Sequence, residues 1–455
     1  RGTDMGTASR GTWVLEFSSP NVAKPFMIYH FRGTGLGACL DRVGRFRGYR
    51  MVSINHLGDW GTQFGKLYVA FELYGKDLPA EPKIADLVKI YEKLHEAIDA
   101  EKSAAKAAAG GSEEKLPATP LEVRARDAFR RLELRDPEVV AIWKKCIDIS
   151  MREFNALYAK LDVRFDHFWG ESFYEEKLKP LLADLKSKGI LEPSEGAWVV
   201  KVEDEKGREL TPCLLEKSDG STIYATRDLA AALYRHEKFD FDRMTYVVGG
   251  EQKLHFQQVF GVLRKMGKPW VSKMEHVPTG LYRFKDSKMS TRKGNFVTLQ
   301  DVWDMAKERV ELLMKERGAD EGMTPAELAD IVEKVSIAAI VFHDLHADPA
   351  RDVDFDAERV VDFEGETGPY LQYAHTRCLS ILRKAKEQGT PLPAYSGATI
   401  ERVVGSLKKD EEIRLVKLLG QFPLHLERTL EHRKASQLAK FLVDVVKAYG
   451  EFYRE

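Results

Sequence analysis

The stretch KPFMIYHFRGTGLG, residues 24–37, follows directly on a run that reads as a buried strand, and the pair decides the fold. That run is TWVLEFSSPN (12–21), in which Trp13, Val14, Leu15 and Phe17 precede a Ser-Ser-Pro turn. A continuous apolar run bounded by turn residues is what a strand covered on both faces of a parallel sheet requires. Working outward, a helix is expected to begin near His30 or Arg32. YRMVSIN (49–55) then returns as a second strand, which makes a β-α-β unit with a short crossover. RMTYVVGG (243–250) reads as another buried strand ending in glycines. Residues 66 to about 240 are too many for a simple crossover, so an insertion is expected there, with the low-complexity SAAKAAAGGSEEK (103–115) as a mobile segment.

From about residue 325 the pattern turns helical. In SQLAKFLVDVVKAYGEFY, Leu438, Phe441, Leu442, Val445, Tyr449 and Phe452 recur at three- and four-residue spacing and are expected to face inward. GPYLQYAHTRCLSILRKAKEQ and EEIRLVKLLGQF behave alike, so a helical bundle is appended to the sheet domain. The expected division is a disordered start over 1–11, an α/β domain over 12–325 and an all-α bundle over 326–455. Nothing at the end resembles a helix cap, so the bundle is expected to be incomplete at its C-terminus.

Composition excludes several classes. With 455 residues and 44% hydrophobic content the chain can bury large cores, and 70 Lys+Arg against 71 Asp+Glu leave no bulk charge that advertises a nucleic acid or a membrane. Cys39, Cys146, Cys213 and Cys378 lie far apart with no CxxC pair, which argues against a zinc site or a disulfide framework and for buried thiols in a reducing compartment. No apolar run approaches the ~20 residues of a membrane span, and the opening RGTDMGTASRG has neither a signal-peptide core nor an initiator. A cytoplasmic internal fragment is the resulting expectation.

GTGLGA (33–38) matches the G-x-G-x-x-A phosphate fingerprint of dinucleotide-binding enzymes. The spacing argues against it, because Gly33 lies well past Phe17 instead of turning directly off the strand. The second strand also ends in Asn55-His56, with no acid for a ribose hydroxyl. For Gly33 and Gly35 alone, close packing of helix on sheet accounts for the glycines.

The surrounding residues favour another reading. EFSSPNVAKP leads into YHFRGT; NHLGDWGTQFGKL, YATRDLAAALYRHEKFDFDRMTYVVGGEQKLHFQQV and KMSTRKG (288–294) follow. This set resembles the arginyl-tRNA synthetases, class I aminoacyl-tRNA synthetases, over nearly the whole chain; GDWGTQFG and YATRD are its most specific pieces. The resemblance implies a Rossmann-like parallel sheet with an insertion, a C-terminal anticodon-binding bundle, and arginine, ATP with Mg2+, and arginine tRNA as ligands, with no protein-bound metal. It also implies that the family's N-terminal tRNA-elbow domain and last anticodon-domain helices are missing, and a monomer is expected.

Adenylate formation gathers negative charge on phosphate oxygens with little covalent work for the protein, so it calls for donors and cations. By the resemblance, His30 takes the place of the second histidine of the HIGH motif, and Lys288, Met289 and Ser290 match KMS. Lys24 is a further phosphate contact, and Met27 and Tyr29 face the ATP site. Taken singly, His30 or Lys24 reads better as a solvated side chain at a helix start; beside the other motifs the phosphate reading prevails. For arginine, the matching positions are Glu16, Asn21, Tyr224, Asp228 and Gln252. Asp228 would receive the guanidinium, Tyr224 would lie one turn before it, and Asn21 and Gln252 would hold the polar head. Alone, Asp228 could be an acid stabilised by a helix dipole.

The HIGH motif is altered. Met27 replaces the first histidine and loses a hydrogen bond, and Tyr29 replaces the glycine on which adenine lies flat, so its ring is expected to fill the adenine site. Two functions therefore stand: an arginine–tRNA ligase, or a synthetase-like protein that binds arginine or tRNA without forming adenylate.

Overall fold

The computed structural model describes residues 10–108, 117–284, 297–363, 365–390 and 397–454. Its centre is a five-stranded, all-parallel sheet of β1 (Thr12–Glu16), β2 (Arg50–Asn55), β3 (His167–Phe168), β7 (Arg243–Gly249) and β8 (Met274–Thr279), in the order β3-β2-β1-β7-β8. A second, antiparallel sheet is made by β4 (Glu192–Ser194), β5 (Ala197–Val200) and β6 (Cys213–Glu216).

β1 explains its own position. Trp13, Leu15 and Phe17 point into one core while Val14 points into the other, and all four are fully buried. Successive side chains on a strand alternate faces, so an unbroken apolar run needs cover on both sides. The first core is covered by α1 (Ile28–Phe46), α2 (Thr62–Tyr74), α3 (Ile84–Ala108), α4 (Pro120–Glu133) and α5 (Pro137–Lys160); the second by α6 (Glu175–Ser187), α7 (Tyr224–Phe239) and α8 (Lys253–Lys265). α1 lies hard against the sheet, because a Cβ at Gly37 would stand 2.2 Å from Cγ of Phe17, and one at Gly33 3.1 Å from the Val247 carbonyl oxygen. The packing account of the glycines thus holds for Gly33 and Gly37, whereas Gly35 would meet only ordinary contacts.

Several expectations are revised. The span 66–240 is not one excursion, since the chain returns to the sheet edge at β3 before leaving again for α6 and the small sheet. Of the segment expected to be mobile, 103–108 form the last turns of α3, where alanines and lysines propagate a helix already nucleated upstream, and 109–115 lie outside the described residues. Arg10 and Gly11 are not disordered: the Arg10 amide donates to the Gly48 carbonyl at 3.1 Å and its guanidinium to Glu427 at 2.6 Å; residues 1–9 lie outside the described set.

Beyond β8, the short strands β9 (Tyr282–Phe284) and β10 (Val353–Phe355) pair in parallel, bracketing the helix Pro325–His346, so the region after 325 is not helical throughout. That helix ties to α1: Arg32, 2% exposed, donates through Nε to Asp344 Oδ1 at 2.9 Å, and Tyr282 Oη donates to the same oxygen at 3.0 Å. In the helix Ser436–Arg454, Phe441 is buried as expected but Leu442 and Phe452 are exposed. The buried edge runs instead through Ala439, Val443 and Ala448, whose small side chains let neighbouring helices approach closely.

Candidate active site

Strand order reverses between β1 and β7, and a crevice opens there at the carboxyl ends of the strands, where open α/β sheets bind ligands. The cavity, of about 620 Å³, is walled by Glu16, Ser18 and Ser19 after β1, His56 after β2, Val247 to Gly249 at the end of β7, and Thr279 at the end of β8. The first turns of α1 contribute Tyr29, His30 and Gly33, and α7 contributes Tyr224 and Asp228. Helix N-termini present unpaired N–H groups, so two such ends meeting at one cavity favour anionic groups at its mouth.

The loop from β1 into α1 is held in an unusual shape. Ser18, Ser19 and Ala23 all adopt left-handed backbone conformations, at φ of 77°, 48° and 60°. Strain of this kind persists only where the surroundings over-determine it. Here Asn55 Oδ1 accepts from the Ser19 amide at 3.2 Å, and Ser150 Oγ accepts from the Ala23 amide at 2.9 Å. Asn21 is threaded past Gly58, where a Cβ would sit 2.3 Å from Asn21 Oδ1, so only glycine lets the carboxamide reach the cavity.

His30 is 8% exposed and its Nδ1 accepts the Met27 amide at 3.2 Å, which leaves Nε2 as the protonated nitrogen. Burial, helped by the nearby Lys24 charge, pushes its pKa down to about 4, so it stands as a neutral donor on the cavity wall. Met27 does not reach the cavity. It is 5% exposed and sits at the entrance to α1, bridged to Thr298. Lys24 is exposed and also lies outside the lining. Tyr29 lines the cavity as expected of a residue at the ATP site, 46% exposed and with its ring centroid 4.3 Å from that of His30. Lys288, Met289 and Ser290 lie outside the described residues.

The opposite wall is acidic. Glu16, Glu171, Asp228 and Glu251 line the cavity, and no Lys or Arg does among the described residues. Glu16 is already engaged, since the buried Arg235 donates to its Oε2. Asp228 follows Tyr224 by one turn of α7, and its Oδ2 accepts from His255 Nε2 at 2.5 Å while His56 Nε2 lies 3.6 Å from Oδ1. Burial works against the Asp228 charge, but His255, His56 and Arg235 outweigh it and hold the carboxyl below the usual range. Burial pushes Glu171 the other way, up to about 7, against the pull of Arg227. Gln252 closes the far side, in the turn ahead of α8.

Of the described residues singled out in the sequence, the cavity brings together Glu16, Asn21, Tyr29, His30, Tyr224, Asp228 and Gln252. His56, Glu171, Glu251 and His255 escaped notice. His56 and His255 sit within the quoted motifs, but a lone histidine carries no period to mark it; Glu171 comes from a turn far away in the chain.

The family model for the catalytic domain of class I tRNA synthetases (R) matches residues 2–357, and that for the DALR anticodon binding domain matches 371–455. The arginine–tRNA ligase of an Exiguobacterium species is 40% identical over 448 residues, covering 98% of this chain and 73% of its own. This chain belongs to the arginyl-tRNA synthetase family. The ligase of Clostridium perfringens is 39% identical over 441 residues, covering 97% of this chain and 72% of its own. Among solved structures, arginyl-tRNA synthetase from Plasmodium falciparum superposes with a TM-score of 0.76 at 25% identity, over 99% of this chain and 72% of that one. The Thermus thermophilus arginyl-tRNA synthetase shares the fold, with a TM-score of 0.77 at 21% identity over 99% of this chain and 76% of that one.

Proposed function

We propose that this chain charges arginine tRNA. The arginine carboxylate attacks the α-phosphate of ATP and expels pyrophosphate; the 3′-terminal ribose hydroxyl of tRNA then takes the arginyl group and releases AMP. The observation that carries this reading is the acid-walled cavity beside the start of α1, with Asp228 and Tyr224 one helical turn apart on its lining.

A guanidinium has five donors and no acceptor, so it needs a carboxylate kept ionised, and Asp228 is held in that state. Tyr224 packs beside it, its ring 4.9 Å from His255. Asn21 and Gln252 orient the polar head of the amino acid, and Glu16, bound by Arg235, sets the depth of the wall. His30 offers Nε2–H to the phosphates as a neutral donor, so it stabilises developing charge without a proton leaving the site. Lys288 and Ser290 complete the phosphate contacts with Met289 beside the nucleotide, Lys24 adds positive charge near His30 from outside the lining, and magnesium enters as the counter-ion of ATP. Basic faces of the helical domain, RCLSILRKAK and LERTLEHRKASQLAK, meet tRNA phosphates. The protein works as a cytoplasmic monomer; no described helix is long and apolar enough to cross a membrane.

The alternative, a chain that binds without making adenylate, gains no support from the relatives, which carry the name of arginine–tRNA ligases. ATP–pyrophosphate exchange with arginine, run with and without arginine tRNA, tests the proposal. Arginine-dependent exchange is expected in the presence of tRNA. Its absence, together with no charging, would overturn the reading.

A further inference from the structure

At the β3 edge of the sheet, four rings lie nearly parallel. Trp169 stacks on His167 at 4.1 Å with 12° between planes, on Phe173 at 5.0 Å with 8°, and on Phe239 at 5.7 Å with 18°. Tyr234 closes the side edge-on, 5.2 Å from Phe173. Trp169 and Phe239 pack partly against the second core and so serve the fold, but Phe173 at the end of the stack is 40% exposed. The exposed Lys238 places its ammonium 5.3 Å from the Trp169 ring centroid.

This patch adjoins residues that wall the active-site cavity. His56, on the cavity wall, bonds through Nδ1 to the Trp169 carbonyl at 2.9 Å, and Glu171, also on the wall, is two residues from both Trp169 and Phe173. β3 lies two strands from β1, roughly 10 Å across the sheet. A ring stack with one end open, a cation alongside and the reaction centre next door is the chemistry of a base-stacking platform for unpaired RNA.

We propose that the Phe173 end of this stack receives one of the last two bases at the 3′ end of the tRNA, with Lys238 beside the adjoining phosphate, so that the terminal ribose is delivered into the cavity. The proposal rests on the function given above, because that reaction obliges the 3′ end to reach the cavity this patch adjoins. Stacking tolerates any base, so the contact guides the end without reading its sequence.

The test is equilibrium binding of the protein to arginine tRNA that is either whole or lacking its last two nucleotides. The parent protein binds whole tRNA more tightly. Phe173→Leu weakens whole tRNA by about tenfold and leaves the shortened tRNA unchanged. Lys238→Gln, which leaves the ring packing intact, also weakens only the whole tRNA and lowers the salt slope by about one. Unchanged binding by both variants, or equal losses on the two RNAs, would overturn the proposal. Charging by the parent protein in the same preparation tests the function separately, so a silent patch beside persistent charging refutes the patch alone.

Discussion

Replacing Asp228 by asparagine keeps the shape of the cavity lining and removes one charge. The four carboxylates of the wall are not equivalent. Glu16 is neutralised by Arg235, Glu171 titrates near 7, and Glu251 belongs to the turn on the far side. Asp228 is the acid held below the usual range, and its side chain is only 16% exposed, so water does little to screen it. Removing one member of a buried charge pair costs about 3–5 kcal/mol; the lower end is appropriate at a cavity open to solvent, and about 3 kcal/mol corresponds to about a hundredfold. In tRNA-dependent exchange, Asp228→Asn is therefore expected to raise the KM for arginine about a hundredfold and to leave the KM for ATP within about twofold. A thermal melt run alongside separates this from misfolding. An arginine KM within about threefold of the parent, in a protein that melts normally, would refute the assignment of Asp228 as the guanidinium acceptor.

Three further outcomes are expected. Glu171 has its pKa raised by burial, so it is neutral below about 7 and gains charge as pH rises; arginine KM should fall between about pH 6 and 8, and Glu171→Gln should flatten that slope. The same sign makes its contribution to folding stability complete at acid pH and lost as pH climbs through 7, which pH-dependent melts of parent and variant can read. Gly37→Ala forces a methyl into the Phe17 ring and should destabilise the fold by about 1–3 kcal/mol in a denaturant titration; an unchanged midpoint would show that α1 can lift off the sheet freely. Tyr29→Gly should lower the KM for ATP in the exchange assay, and an unaltered value would show that this side chain does not hinder the nucleotide.

The parallel sheet was legible because β1 has to hide both faces: Trp13 and Val14 cannot be adjacent and both buried in a sheet with one wet side. The residues of the cavity were legible where they sit in compact motifs, such as Asp228 four residues after Tyr224. What escaped was what only folding brings together. His255 reaches Asp228 from another helix, Arg235 reaches Glu16 across more than two hundred residues, and β3 is two residues long, too short to carry a period. Lysines and alanines at 103–108 read as low complexity, yet the same composition favours helix once α3 has started.

The place of β1 in the sheet carries a consequence for how the chain acquires its structure. One of its neighbours, β2, follows within a few dozen residues, but the other, β7, pairs Trp13 with Arg243, about 230 residues downstream. Pairing across so long a stretch must pay its loop entropy before any ladder rewards it, and such topologies fold slowly. As the chain leaves the ribosome at ~5–20 residues per second, one edge of this strand, with its apolar Trp13-Val14-Leu15 centre, waits more than ten seconds for its partner to emerge. During that time the strand that leads into the active site carries an unpaired edge open to aggregation, and a chaperone that holds the first 240 residues would raise the yield of folded protein.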